Sequence, residues 1–125
     1  MKIFKLLFFG VIVLFLHSCK SAGIVGSWEF IEVYDGVVIN NVDTLKLKQN
    51  NSKYGTGKLI FNKDHSLISM NSPGSYEQKG DQLMIKYNGA EKPASLKISY
   101  VDKDFLLLSS EKEVPATWFY RKIKN

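Results

Sequence analysis

One cysteine, Cys19, and two histidines, His17 and His65, are all that the 125 residues hold of the strongest metal ligands and nucleophiles. A lone cysteine excludes an internal disulfide, so a folded domain must be held by its apolar core. A metal centre needs three or four convergent ligands, which these residues do not supply, so no metal and no cofactor is expected. A long apolar run is missing too. The stretch 6–16 (LLFFGVIVLFL) has no charged or polar side chain but covers only eleven residues, whereas a helix needs about 20 to cross a bilayer. Charge of one sign never accumulates either: 17 basic and 12 acidic residues are dispersed along the chain. Without a basic block there is no electrostatic footprint for nucleic acid.

What is present begins with a basic start, Lys2 and Lys5, then the short apolar run, then the small residues Ser18, Ser21 and Ala22. This is the layout of a secretory signal. Leu16, His17, Ser18 and Cys19 resemble the lipobox of a bacterial lipoprotein precursor, with His17 bulkier than is usual there. The resemblance implies cleavage before Cys19, alkylation of its thiol by a diacylglycerol unit and acylation of its freed amine. The membrane is then a partner through acylated Cys19. Each buried methylene contributes about 0.8 kcal/mol, so two or more chains anchor stably. Lys20 follows where an Asp is associated with inner-membrane retention, and 20–23 (KSAG) lacks the acidic cluster of surface-exported lipoproteins. The resemblance therefore implies an outer-membrane anchor with the domain facing the periplasm.

The organisation that follows is a signal peptide over 1–18, the lipidated cysteine and a short tether over 19–25, and one domain over 26–125. Removing the signal leaves 107 residues with 15 basic and 12 acidic side chains, one domain's worth of chain. Its periodicity is two. Strands are expected at 26–34, where Trp28, Phe30 and Tyr34 share a face with Glu32, and at 37–48 after an Asp35-Gly36 hairpin turn. The polar stretch 50–57 reads as a loop. Shorter strands follow at 58–62, 66–70, 75–78, 82–87, 95–101, 105–110 and 117–124, with turns at 63–65, 71–74, 79–81 and 102–104 between several of them. Such spacing marks an antiparallel sandwich or barrel. The fold expected is all-β, an up-and-down meander of eight or nine strands closing as a barrel, because open edges invite association.

Taken in order, "GSWEF", "LIFNKDHSL", "SYEQKGDQLMIKY" and "WFYRK" resemble the small lipocalin-like domains of Bacteroidota lipoproteins. Gly26 and Trp28 match the opening Gly-x-Trp. Leu59, Phe61 and Asp64 match an apolar-x-Phe-x-x-Asp-Gly hairpin in which His65 stands where Gly is usual. Tyr76, Gly80-Asp81, Leu83 and Ile85 follow the pattern, and Phe119, Tyr120 and Arg121 close it. The resemblance implies a barrel end closed by Gly26, Trp28 and Arg121, with the guanidinium lying over the indole ring. It also implies a lumen lined by Phe30, Tyr34, Phe61, Leu83, Ile85, Leu96, Ile98 and Tyr100.

No constellation carries catalysis, and an enzyme is not expected. Asp64, Asp81, Asp102 and Asp104 fall in turns, where Asp is favoured for local hydrogen bonding. Glu111 and Glu113 sit in the loop before the last strand, and Ser109-Ser110 lacks a glycine elbow. Two functions stay open. One is carriage or sensing of a small apolar ligand in the lumen. The other is an envelope interaction or inhibitor module whose barrel is filled and whose loops, 50–57 and 111–116, meet a protein partner.

Overall fold

The computed structural model of the chain describes residues 23–48 and 57–124. Eight strands follow in order: β1 (Gly26–Asp35), β2 (Lys58–Phe61), β3 (Ser66–Ser69), β4 (Ser72–Lys79), β5 (Gln82–Tyr87), β6 (Ala94–Val101), β7 (Phe105–Ser110) and β8 (Ala116–Lys122). Each pairs antiparallel with the next, and β8 returns to β1, so the sheet closes as a barrel. Closure satisfies the row of backbone groups that an edge strand would leave open. Its length lets β1 serve both neighbours: Gly26 to Glu29 meet β2, and Trp28 to Asp35 meet β8.

Alternation fills the lumen. Trp28 and Phe30 from β1, Leu59 and Phe61 from β2, Leu67 from β3 and Tyr76 from β4 meet Leu83, Ile85, Ile98, Leu106, Leu108 and Tyr120 in one buried cluster. Rings set edge to face bind it together: Phe61 against Tyr76 at 4.8 Å and Phe30 against Tyr120 at 5.8 Å between centroids. Such pairs add about 0.5–1.5 kcal/mol beyond area burial. The Tyr76 hydroxyl donates to Asn62 O at 2.6 Å. His65 stacks on Tyr76 and takes φ 71°, a left-handed conformation that glycine adopts at least cost.

The ninth strand expected at 37–48 does not form. Gly36, at φ 83°, turns the chain off β1 and donates its N–H to Pro115 O instead of opening a hairpin. Residues 37–48 then run along the outside of the barrel as a strap. Its apolar residues explain the change: Ile39, Val42 and Leu45 recur every three positions, and Lys46 N donates to Val42 O at 3.1 Å in a single helical turn. They pack on Ile31, Leu107 and Phe119, with Tyr34, Tyr100 and Phe105 around them. Because Leu107 lies between the lumen residues Leu106 and Leu108, this second cluster is on the opposite face of the sheet. The turn expected at 71–74 also moves. Met70 and Asn71 take φ 49° and 72°, the two left-handed residues of a tight hairpin turn, and β4 starts at Ser72. Gly74 is required within it, since a Cβ there would lie 2.5 Å from Lys86 O.

A chain of hydroxyls fixes the upper part of the strap. Thr117 Oγ1 donates to Val37 O at 2.8 Å and accepts from Ile39 N at 2.9 Å. Its one proton is thereby used, so the Ser109 hydroxyl 3.0 Å away donates to Thr117. Ser99 Oγ lies 2.8 Å from Ser109 Oγ and also reaches Leu107 O. Ser109 and Thr117 are fully buried, where an unmade hydrogen bond costs about 1–3 kcal/mol. Thr117→Val keeps the shape and orphans Ile39 N and Val37 O. It is expected to lower unfolding stability by about 1–3 kcal/mol in chemical denaturation; an unchanged midpoint would show that the strap is not held this way.

Candidate functional site at the open end of the barrel

Antiparallel order sorts the connections to two ends. The entering chain at 23–25, the turns after β2, β4 and β6, and the residues after β8 share one end, which we call the N-terminal end. The strap's origin at Gly36 and the connections after β3, β5 and β7 share the other.

The N-terminal end is plugged. Trp28 is fully buried and donates its indole N–H to Ile24 O at 2.8 Å, holding Ile24 across the lumen. The cation over the ring is Lys122, not Arg121: its Nζ lies 4.6 Å from the ring centroid and donates to Val25 O at 2.8 Å. The pleat decides this. Lys122 is the register partner of Trp28 and points inward, whereas Arg121 pairs with Glu29 on the outer face and donates from Nη2 to Lys48 O at 3.0 Å. Burial holds the Lys122 ammonium below the usual lysine pKa. Gly26, at φ 135°, leaves room for that ammonium, which a Cβ would overlap.

Of the eight residues named as lining, Phe30, Phe61, Leu83, Ile85, Leu96 and Ile98 face the lumen. Tyr34 and Tyr100 do not. A bulge between Phe30 and Glu32 shifts the register of β1, turning Val33 inward and Tyr34 outward. A second between Ile98 and Tyr100 does the same in β6, where Val101 takes the inward place. An extra residue in one strand flips every side chain that follows it. The displaced tyrosines join the outer cluster. Tyr100 donates to Asp102 Oδ2 at 2.6 Å, and the bonded carboxylate pushes the phenol's pKa up. Tyr34 keeps a buried hydroxyl without a hydrogen-bond partner among the described residues, and burial, then Glu32, raises its pKa.

The other end is less complete. Val33, Tyr87, Leu96 and Trp118 point inward there but are only partly buried, forming the last layer of the lumen. Below them Tyr120 is enclosed, and burial raises its pKa well above the tyrosine norm. Beside Tyr87 opens a cleft of about 390 Å³ bounded by Ser69, Met70, Ser72, Pro73 and Asn88. Exposed apolar side chains stand around this end: Val37 and Val38 on the strap, Met70 at 48 % on the β3–β4 turn and Val114 at 74 % before β8. The hydrogen bond from Gly36 N to Pro115 O brings the strap's valines beside Val114.

A polar cleft of about 520 Å³ also opens on the outer wall, among Asp81, Gln82, Lys97, Ser109 and Glu111. Lys97 and Glu111 meet there at 3.7 Å, an exposed pair of little energetic worth. The turn acids have local roles. Asp64 accepts from Ser66 N and Oγ, which lowers its pKa. Asp102 accepts from Tyr100, Asp104 N and Phe105 N; burial opposes ionisation, but these bonds and Lys46 leave its pKa lowered. Among the described residues no three His, Cys, Asp or Glu side chains converge as a metal site. Cys19 and loop residues 50–56 lie outside the described residues.

Neither Tyr87 nor Trp118 was singled out as a site residue by sequence. The usable signal was the pairing of adjacent apolar residues, Phe30-Ile31 and Tyr100-Val101, inside alternating strands, since this betrays a change of phase. The two tryptophans separate the two ends experimentally. Trp118→Phe leaves Trp28, whose emission is expected to be blue-shifted and resistant to acrylamide. Trp28→Phe leaves Trp118, expected to be red-shifted and readily quenched; equal quenching would contradict the assignment of a plugged and an open end. Comparison with protein-family models, with curated proteins and with solved structures found no match for this chain.

Proposed function

We propose that the chain is a lipoprotein of the bacterial outer membrane, anchored through acylated Cys19 and facing the periplasm, whose barrel binds an envelope protein at its open end. The observation that carries the binding reading is the contrast between a lumen filled with side chains and a rim where Val37, Val38, Met70 and Val114 are exposed around partly buried Tyr87 and Trp118. A filled eight-stranded barrel has no room for an enclosed ligand. Apolar side chains gathered at one place on a surface mark interaction sites more often than scattered ones do, and aromatic residues are enriched at such contacts. The chemistry is binding, not catalysis. The anchor reading is supported by the basic start, the short apolar run and the Leu16-x-Ser18-Cys19 pattern.

The cleft beside Tyr87 favours a second reading, in which one small apolar group is held at the mouth and not in the lumen. Its size is within the lower range of ligand sites.

Two measurements test the proposal. Intact mass of the membrane fraction is expected to show loss of residues 1–18 and added acyl chains, and Cys19→Ala is expected to block maturation or release the protein. An unmodified protein retaining residues 6–16 would contradict the anchor. For the rim, a photo-crosslinking amino acid at Val114 in growing cells is expected to give a discrete adduct that one at Glu77, on the outer wall, does not. Identical patterns at both positions would contradict a rim-specific partner. If the rim instead takes a small molecule, Tyr87→Ala is expected to weaken binding of a fatty-acid probe with little loss of stability.

A further inference from the structure

We infer that the N-terminal end of the barrel rests on the bilayer, with Leu47 entering the headgroup region and the cations beside it meeting anionic lipid phosphates. This rests on the acylation of Cys19 proposed above. The strap makes an uneven use of its leucines: Leu45 is buried against the barrel, whereas Leu47, two residues on, is 97 % exposed. It stands between Lys46 and Lys48, and its place in the fold is fixed. Arg121, near the lower end of β8, donates to Lys48 O, and Lys46 is close enough to Asp102, in the β6–β7 turn, to lower its pKa. Leu47 therefore projects at the end where the chain enters the barrel, and the half-exposed Val25 lies at that end as well.

Covalent geometry then limits what this end can face. Cys19 precedes Gly23, the first described residue, by four positions. Four residues span about 14 Å at most, so an acylated Cys19 keeps Gly23 within that distance of the membrane surface. The open end, a strand's length away, is left facing outward.

Charge around Leu47 suits an anionic surface. Lys46, Lys48, Lys58, Lys103, Arg121 and Lys124 are set against Glu29, Asp43, Asp102 and Asp104, with Glu29 facing Lys58 and Arg121 across the sheet and Lys122 turned inward over Trp28. The acids are engaged locally: Asp43 with Lys46 at 3.9 Å, Asp104 with Lys124 at 2.6 Å, and Asp102 with Tyr100 and two backbone N–H groups. Elsewhere at this end Lys63 neighbours Asp64 and Lys79 neighbours Asp81, which balance. An exposed leucine between lysines, on a surface with excess cations, combines the two attractions that bring a protein onto anionic lipid: apolar insertion and contact with headgroup charge.

The test exploits the single cysteine. In the mature protein the Cys19 thiol is consumed by acylation, so L47C and V114C each offer one thiol, at opposite ends of the barrel. Each acylated variant is labelled with an environment-sensitive fluorophore and reconstituted into vesicles of phosphatidylethanolamine and phosphatidylglycerol. The label at position 47 is expected to shift to the blue and to be quenched several-fold more by spin-labelled lipid than the label at position 114. Removing phosphatidylglycerol, or adding salt, is expected to weaken the difference. Equal, water-like signals in protein whose intact mass confirms acylation would overturn this inference and leave the anchor standing. A second label on Cys19, with no acyl mass, would overturn both. A blue shift at position 47 that grows with protein concentration in detergent, without vesicles, would assign the surface to a second copy of the chain and overturn the lipid contact.

Discussion

The pairing of β1 with both β2 and β8 is the constraint on which the rest of the structure depends. Ten residues of one strand are shared between two neighbours, and this removes the edges that the meander would otherwise expose. Closing eight strands also sets the lumen's width, which is just enough for side chains to fill. The contents follow: Trp28 and Ile24 at one end, rings and leucines through the middle, and a looser layer of Val33, Tyr87, Leu96 and Trp118 at the other. Filling and closure are thus one fact seen from two sides.

Bulges in β1 and β6 have a further consequence. By shifting the phase they send Tyr34 and Tyr100 to the outside, where Ile31, Leu107 and Phe119 already present an apolar surface. A barrel with an apolar outer patch needs a cover, and the strap supplies Val42 and Leu45. The Ser99, Ser109 and Thr117 hydroxyls satisfy the backbone where the strap leaves the sheet. The second core lets a domain without a disulfide stabilise both faces of β7 and β8.

Much of this was legible in the sequence, and the limits have physical causes. Strand spacing, the meander and its closure could be read from turn residues and period-two alternation. The unbroken Leu106-Leu107-Leu108 run also carries the pattern of a strand buried on both faces, a signal that the alternation alone does not use. Hidden was the parity of individual positions. One bulge reverses a whole strand end, so strict alternation puts Tyr34 and Tyr100 on the inner wall while the structure has them on the outer, and a single step along β8 separates Lys122 over Trp28 from Arg121 outside. The strap reads as a strand because Leu45 and Leu47 mimic alternation, while the spacing of Ile39, Val42 and Leu45 that decides its path is helical. Of the open rim only loop 111–116, which holds Val114, was legible, since Val37 and Met70 are far from it in sequence and join it only through closure.

The two ends of the molecule are unequal: Trp28, Ile24 and Lys122 fill one, and apolar side chains stay exposed around the other. The central claim is that the lumen is occupied by the protein's own side chains. Titrating the protein with dodecanoate while following methyl resonances tests it most directly. The account predicts that methyls of Leu83, Ile85, Leu106 and Leu108 stay fixed at all concentrations, with any shift confined to Val33 and Leu96 at the mouth. Saturable shifts of the four deep residues would contradict it and identify the barrel as a carrier.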